Sequence, residues 1–297
     1  MSWAVPLVRA YIRYAPFVAG KRSLWTRVMD PYFAWHPHQF VASTVFGSTI
    51  AGVTTDIIQQ YIYYFGLWEP PLTYWIRERL APGDTFIDVG ANIGYFSLLA
   101  SRLVGESGSV VAIEASPKTF HALKDNLERN TSRNVRAVNV AVSHSREVVA
   151  LFRGPDSNVG ETTLLEDLGL EFECEVEAAP LSAILQPVES ERARLIKIDV
   201  EGAEWCVAEG IGPILSSGRA DLEIVVEVHP ELLVRQEKRP EDILRVFREA
   251  GFYAYSLESD YSPLSYLPPA RKRPMRVRGP IECEANVVFS RRDGELL

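Results

Sequence analysis

The run Asp84-Thr85-Phe86-Ile87-Asp88-Val89-Gly90-Ala91-Asn92-Ile93-Gly94-Tyr95-Phe96-Ser97 decides the fold. Its first half is short, apolar and β-branched, the composition of a buried strand. Its second half turns through glycines into a segment, Ile93 to Val104, whose apolar residues fall at helical spacing. Strand, tight glycine turn and helix make the first unit of an open α/β sheet. In such sheets ligands sit outside the carboxyl ends of the strands, at the point where the strand order reverses. Glycine is needed there because the backbone must take a positive φ or approach a ligand closely. Asp88, two residues before Gly90, is placed to pair with a cationic ligand group.

A dinucleotide-binding turn has the same architecture but the spacing G-x-G-x-x-G, with a helix N-terminus facing pyrophosphate. Here the spacing is G-x-x-x-G, preceded by an acid. A carboxylate suits the ammonium of a methionine moiety better than it suits a pyrophosphate.

Outward from this turn, strands and helices alternate. Strands read as Thr85–Val89, Val110–Ala115, Val135–Val142, Arg194–Val200 and Leu222–Val228. One helix, Pro117 to Asn130, has Ser116 as N-cap and proline in its first turn. Another, Glu241 to Ala250, stops at Gly251. The alternation predicts an α/β fold with a doubly wound, mostly parallel sheet covered on both faces. Residues 148–181 read as an inserted hairpin. Glu282 to Phe289 reads as a last antiparallel strand, expected at an edge.

The chain has 297 residues, enough for one large domain and an appendage. We expect an N-terminal helical arm or cap over residues 1–80 and the ligand-binding domain over 81–297. Tyr61 to Leu80 reads as helix, broken at Glu69-Pro70-Pro71. Residues 1–35 carry aromatics (Trp3, Tyr11, Tyr14, Phe17, Trp25, Tyr32) among bases. They fit either an interfacial helix touching membrane or, as the favoured reading, an arm packed on the domain or a second subunit. The net charge of −8 argues against a nucleic-acid partner. Cys174, Cys206 and Cys283 are scattered and odd in number, which suggests reduced thiols in the cytoplasm. The basic stretch from Arg271 to Arg278 reads as a solvated loop.

Four positions carry candidate chemistry besides the glycine turn. Glu114 ends the second strand, 24 residues after Gly90, where a carboxylate accepts hydrogen bonds from ribose hydroxyls. Asp199 and Glu201, in Lys197-Ile198-Asp199-Val200-Glu201-Gly202-Ala203-Glu204, fall at the mouth of the fourth strand. They can balance a cationic ligand or remove a proton, although Glu201 and Glu204 also suit a helix start. His229 closes the fifth strand in Glu227-Val228-His229-Pro230 and is a candidate general base. No His, Cys and carboxylate set has metal-ligand spacing, so no metal is expected.

Taken together these pieces resemble the FkbM-type methyltransferases. The resemblance rests on Gly66-Leu67-Trp68-Glu69-Pro70, on Gly83-Asp84 leading to Asp88-Val89-Gly90-Ala91-Asn92-Ile93-Gly94-Tyr95, and on Glu114 with Pro117. It continues through Asn126, Asn130, Asn139 with Ala141-Val142-Ser143, and the Lys197–Glu204 run. It implies a seven-stranded sheet in the order 3-2-1-4-5-7-6 and S-adenosyl-L-methionine (AdoMet) as cofactor. It also implies O-methylation of a hydroxyl on a sugar, glycolipid or polyketide-type metabolite, so that the partner is a small-molecule or glycan acceptor. By the same resemblance Asp88, Gly90, Asn92 and Gly94 surround the methionine and ribose, Glu114 holds the ribose, and Asn139 to Ala141 line the adenine. Glu69 closes over the methionine end or, equally, caps the helix ahead of Pro70. Asp199 serves cofactor or acceptor. The proton acceptor is expected among His229, Asp199 and Glu201. Two other functions fit the same sheet: a catalytically silent AdoMet-binding scaffold and an NAD(P)-dependent oxidoreductase.

Overall fold

The computed structural model describes every residue except 1–4, 16–19, 30, 31, 33–35, 259, 267, 268 and 270. Thirteen strands are formed among the described residues. The main sheet contains β3 (Thr85–Val89), β4 (Ser109–Glu114), β5 (Val135–Asn139), β9 (Ala193–Ile198), β10 (Glu223–Val228), β11 (Tyr253–Leu257), β12 (Met275–Arg276) and β13 (Ala285–Ser290). Their order is β12-β11-β13-β10-β9-β3-β4-β5. With β12 left out and the other seven numbered from β3 in chain order, the sheet reads 3-2-1-4-5-7-6. The two-residue β12 adds an eighth strand beyond it, an addition too short to show in the sequence pattern.

Neighbouring strands from β5 to β10 are parallel, and β13 runs antiparallel to both β10 and β11. The last strand is thus antiparallel as expected but interior rather than at the edge. Pairing on both sides explains its apolar run Val287-Val288-Phe289, all fully buried.

Period-2 alternation splits the strand residues between two layers. Ile87, Val89, Val111, Ile113, Ile196 and Ile198 face one apolar core, shared with helices Glu204–Gly210 and Pro240–Glu249. Phe86, Val110, Ala112 and Leu195 face the other, under helices Pro70–Arg79 and Tyr95–Val104. Asp88 lies on this second side, beneath the glycine turn. The expected strand over 135–142 divides: β5 stays in the main sheet, while β6 (Ala141–Val142) crosses to a small sheet with β7 (Glu147–Arg153) and β8 (Glu171–Ala179). This is the inserted hairpin.

Before the main sheet the chain forms a hairpin unforeseen from the sequence, β1 (Gln39–Ser43) with β2 (Thr49–Val53). Two helices follow, Ile57–Phe65 and Pro70–Arg79. Asp56 caps the first, its Oδ1 accepting from Gln59 N at 2.8 Å, and Gly66 ends it at φ +67°. The break in the expected Tyr61–Leu80 helix therefore falls at Gly66, a few residues before the prolines, which start the second helix.

The N-terminal helix Val5–Tyr14 packs on these elements. Arg9 Nε donates to Tyr63 O at 2.7 Å, and Arg13 Nη2 donates to Ser43 O at 2.7 Å. Trp25 is buried, its ring edge-on to Tyr61 and Tyr64 at 5.3 and 4.8 Å. Of the arm's aromatics Trp25 is packed in this way and Tyr14 is exposed, while Trp3 and Phe17 lie outside the described residues. No helix of the described residues is long and apolar enough to cross a membrane. The three cysteines are free thiols. In the basic stretch, Lys272 meets Glu258 at 2.8 Å and Arg276 meets Asp293 at 2.6 Å on the surface.

Asn126 and Asn130, on helix Pro117–Arg129 and at its C-cap, work as a substitute strand for the free edge of β2. Asn130 Oδ1 accepts from Thr49 N at 2.8 Å, and its Nδ2 donates to Thr49 O at 2.7 Å. Asn126 Oδ1 accepts from Ala51 N at 2.8 Å while its Nδ2 donates to Ile93 O at 3.0 Å. One buried amide therefore ties the hairpin to the glycine turn. Removing it leaves a buried N–H and C=O unpaired, each costing about 1–3 kcal/mol. Asn126→Ala is expected to lower unfolding free energy by about 2–4 kcal/mol, read from the urea midpoint. A change below about 0.5 kcal/mol would show that the amide does not tie the two elements.

Candidate active site

The site is built where β3 and β9, the first and fourth strands, end side by side. Gly90 has φ +77°, and a Cβ added there would lie 1.7 Å from Asp199 O. No side chain can occupy that space, so the two strand mouths touch through backbone. Gly94 has φ +93°, and a Cβ on it would meet Leu123 Cδ1 at 2.7 Å. Between them Asn92, at φ +48°, stabilises its own turn by accepting from Ile93 N at 2.8 Å.

Beneath this turn lies Lys197, buried, with Nζ 2.8 Å from Asp199 Oδ2, 3.8 Å from Asp88 Oδ1 and 5.2 Å from the centre of the Phe96 ring. Asp88 also accepts from Ser97 Oγ at 2.6 Å. Burial pushes the Asp88 carboxyl up, and Lys197 and Ser97 oppose it. Burial likewise acts to raise Asp199, but Lys197, a hydrogen bond with Glu227 and His229 together outweigh it and hold Asp199 below the ordinary carboxylate range. Asp88 is fully buried and its charge faces Lys197. It supports the glycine turn from below rather than lining a cavity.

Glu114 ends β4 with both oxygens engaged by backbone: Oε2 accepts from Asn92 N at 2.8 Å and Oε1 from Ser116 N at 2.9 Å. Burial is the main cause that pushes it up to about 7, against these two bonds. It borders a narrow pocket whose walls include Gly90, Ala141, Val142, Leu151 and Thr163. Ala141 thus lines this pocket together with Glu114. Asn139 does not line this pocket: its Nδ2 donates to Glu114 O and Ala115 O, both at 2.8 Å, fixing the end of β4.

A second cavity of about 270 Å³ opens beside Asp199, under helices Ile57–Phe65 and Pro70–Arg79. Six carboxylates line it, Glu69, Glu161, Asp199, Glu201, Glu227 and Glu284, together with His229 and no lysine or arginine. Glu69 is buried at φ +38°; its Oε1 accepts from Asn286 Nδ2 at 2.9 Å and Tyr261 Oη at 3.1 Å. Burial, then Asp199, push it up to about 7. Glu69 is both cavity wall and N-cap of Pro70–Arg79, though its side chain makes no capping bond.

Glu201 has φ +48°, unusual for a residue with a side chain. Its helix-start reading does not hold: helix Glu204–Gly210 begins three residues later, and Glu204 instead accepts from Gly202 N. Glu201 turns toward His229, whose Nε2 lies 3.8 Å from Glu201 Oε2 and 3.3 Å from Glu227 Oε2; its Nδ1 is 3.6 Å from Glu284 Oε2. Burial and then Glu227 raise Glu201 well above the usual range; burial and then Asp199 do the same to Glu227. For His229, burial alone would lower the imidazole, but the surrounding carboxylates outweigh it and raise it. Glu201 and His229 also border a larger cavity of about 550 Å³, which shares Thr163 with the Glu114 pocket.

The expectation of no metal-ligand set needs correction at this point. Ligand atoms of Glu201, Glu227 and His229 all lie within 4.8 Å of one another. They come from two strand mouths and so show no spacing along one segment. Sequence reading also missed Lys197, Glu227, Tyr261 and Glu284 as site residues. Lys197 precedes Asp199, and Glu227 precedes His229, by two positions, which on a strand means the same face; that signal was available. Tyr261 and Glu284 come from connections with no regular pattern.

A family model described as the methyltransferase FkbM domain matches residues 88–253. The chain is 28% identical over 149 residues to "Methyltransferase 1" of Beauveria bassiana, covering 44% of this chain and 59% of that protein. It is 30% identical over 160 residues to "Methyltransferase sdnD" of Sordaria araneosa, covering 44% of this chain and 61% of that protein. It therefore spans about three fifths of the length of these two relatives. A SAM-dependent O-methyltransferase structure from Thermotoga maritima overlies it with a TM-score of 0.42 at 15% identity, over 86% of this chain and 79% of that one. Matched by this model over more than half its length, this chain belongs to the FkbM family of AdoMet-dependent methyltransferases.

Proposed function

We propose that the protein transfers the AdoMet methyl group to a hydroxyl of a small-molecule or glycan acceptor. The observation that carries this reading is the pairing of two unlike cavities at one sheet edge. One has apolar walls and a single carboxylate, Glu114, suited to a nucleoside. The other has six carboxylates and no lysine or arginine on its walls. A sulfonium and an ammonium are stabilised in the second; a pyrophosphate would be repelled by it. The same contrast disfavours NAD(P).

In this reading Gly90, Asn92 and Gly94 shape the turn against which the ligand lies. Glu114 takes the ribose hydroxyls, and Ala141 with Val142 bounds the adenine. Asn139 acts by fixing the backbone of Glu114. Glu69 and Asp199 face the methionine end, while Asp88 acts through Lys197. AdoMet supplies an activated methyl group on a sulfonium. What remains for the protein is to hold the acceptor oxygen in line and relieve it of its proton. Asp199 is committed to Lys197 and is a weak base. That leaves His229 and Glu201, which border both acidic cavities, to activate the hydroxyl. Residues 1–80 form the cap over the acceptor side, residues 81–297 the catalytic domain, and the free thiols suit a cytoplasmic setting.

Replacing His229, Asp199 and Glu201 singly should lower turnover at saturating AdoMet, His229→Ala by about 10²–10⁴-fold, the usual weight of acid–base assistance. Labelled AdoMet in a lysate of the source organism would identify the product. If none of the three substitutions lowers its formation, acceptor activation does not reside in this cluster.

Glu114 gives the cofactor half a separate test. Its carboxyl titrates at about 7 in the free protein, above the ordinary glutamate value. Below that pH it is protonated and loses acceptor capacity toward ribose, so AdoMet affinity should fall as pH drops from 8 to 6. Calorimetry at pH 6 should show release of up to one proton per AdoMet bound. Glu114→Gln should bind AdoMet more weakly and abolish that proton release. NAD should not bind in either case.

A further inference from the structure

The cluster at the mouths of β9 and β10 has the donors, the geometry and the open side of a metal centre. We propose that Glu201, Glu227 and His229 bind one divalent cation of borderline softness, of the Mn²⁺ or Zn²⁺ type, at the acceptor side of the active site. The proposal rests on the methyl-transfer reading only for the cation's role, not for its binding.

His229 Nε2 is out of contact with solvent and has no hydrogen-bond partner. Such an atom costs free energy unless something meets it. It faces two carboxylate oxygens, at 3.3 and 3.8 Å. Around a cation with ligand bonds of about 2.0–2.2 Å, neighbouring ligand atoms stand roughly 3.0–3.5 Å apart. The His229–Glu227 edge already has that length, the His229–Glu201 edge needs to close from 3.8 Å, and the Glu201–Glu227 edge lies within 4.8 Å.

The surroundings favour the same protonation and rotamer. Metal-bound histidines commonly direct the other ring nitrogen at a carboxylate, which fixes the tautomer. Here Glu284 Oε2 stands 3.6 Å from His229 Nδ1, placed to accept the Nδ1–H once Nε2 exchanges its own proton for a cation. Glu227 Oε1 lies 2.9 Å from Tyr261 Oη, and Oε2 is the oxygen that faces His229 Nε2, at 3.3 Å.

Charge selects the ligand as well. The cavity walls carry six carboxylates, and the nearby Lys197 is already engaged by Asp88 and Asp199. One imidazole among two carboxylates suits Mn²⁺ or Zn²⁺ better than Ca²⁺, which prefers six to eight oxygens. Three protein ligands leave positions open toward the cavities of about 270 and 550 Å³ that Glu201 and His229 share.

In that position the cation would take the acceptor hydroxyl as a ligand and lower its pKa. The O–H proton leaves to solvent, the oxygen lone pair forms the new O–C bond, and the S–C bond breaks with its electron pair going to sulfur. His229 then acts as a ligand, and no base strength is required of it.

Binding is measured without AdoMet or acceptor, on the full chain freed of metal by chelation. Titrating Mn²⁺ and following the free-ion EPR signal, with Zn²⁺ followed by calorimetry, should show one equivalent bound. His229→Gln and Glu227→Gln should each weaken binding at least tenfold. Glu284→Gln, which touches no metal, should weaken it about 10–100-fold. Unchanged far-UV circular dichroism and urea midpoint of each variant would verify its fold. Absence of binding at millimolar cation, or binding that these substitutions leave unchanged, overturns the proposal. Metal binding without methyl transfer to any acceptor would retain the site and remove the methyl-transfer reading.

Discussion

The buried ammonium of Lys197 is the constraint on which the site depends. It sits between the acids at the mouths of the first and fourth strands, 2.8 Å from Asp199 and 3.8 Å from Asp88, and among the described residues no other cation pairs with Asp88. Taking a lysine and two carboxylates out of water costs several kcal/mol per ion, which the mutual attraction offsets only in good geometry. Such a triad adds little to net stability. Its consequence is positional: Asp88 and Asp199 cannot separate, so Gly90 stays pressed against Asp199 O, and the rim of the cavity has one shape.

From that fixed rim the division of labour between the cavities follows. Toward β4 and β5 the walls are apolar, because β6 leaves the main sheet after Asn139 and brings Ala141 and Val142 over the edge. Toward β10 the walls are acidic, because Glu227 near the strand's end and His229 just beyond it reach the strand mouth on one side, joined there by Glu201 and Glu284. The cap is part of this arrangement. Glu69, from the loop between its two helices, reaches Tyr261 and Asn286 from the far end of the chain, so that residues nearly 220 positions apart share one wall.

Local patterns made much of the main sheet legible. Thr85–Val89 was readable to the residue, since a fully buried strand bounded by a charged residue and a glycine turn has few alternatives. Ser116 could be placed as an N-cap because its chemistry is local; its Oγ accepts from Thr119 N at 3.3 Å. The β1–β2 hairpin was not legible. Its pairing is stabilised by Asn126 and Asn130 on a distant helix, an interaction no window of sequence contains. Val135 to Val142 read as one strand because valines and alanines recur throughout it, interrupted only by Arg136 and Asn139, and tertiary packing divides it at Val140.

The site shows the same boundary between local and non-local information. Acids at strand mouths were readable, because a strand end beside a glycine turn is where ligands meet an open sheet. Which acids share a cavity was not, since that depends on the lateral order of strands distant in sequence. Asp88 and Asp199 look alike in the sequence, each near the end of an apolar strand. The fold gives the first to the interior and the second to the cavity, with one lysine between them. An acid at a strand mouth therefore carries two readings, ligand contact or support for the turn that makes the contact. Only the direction of its side chain relative to the sheet decides between them.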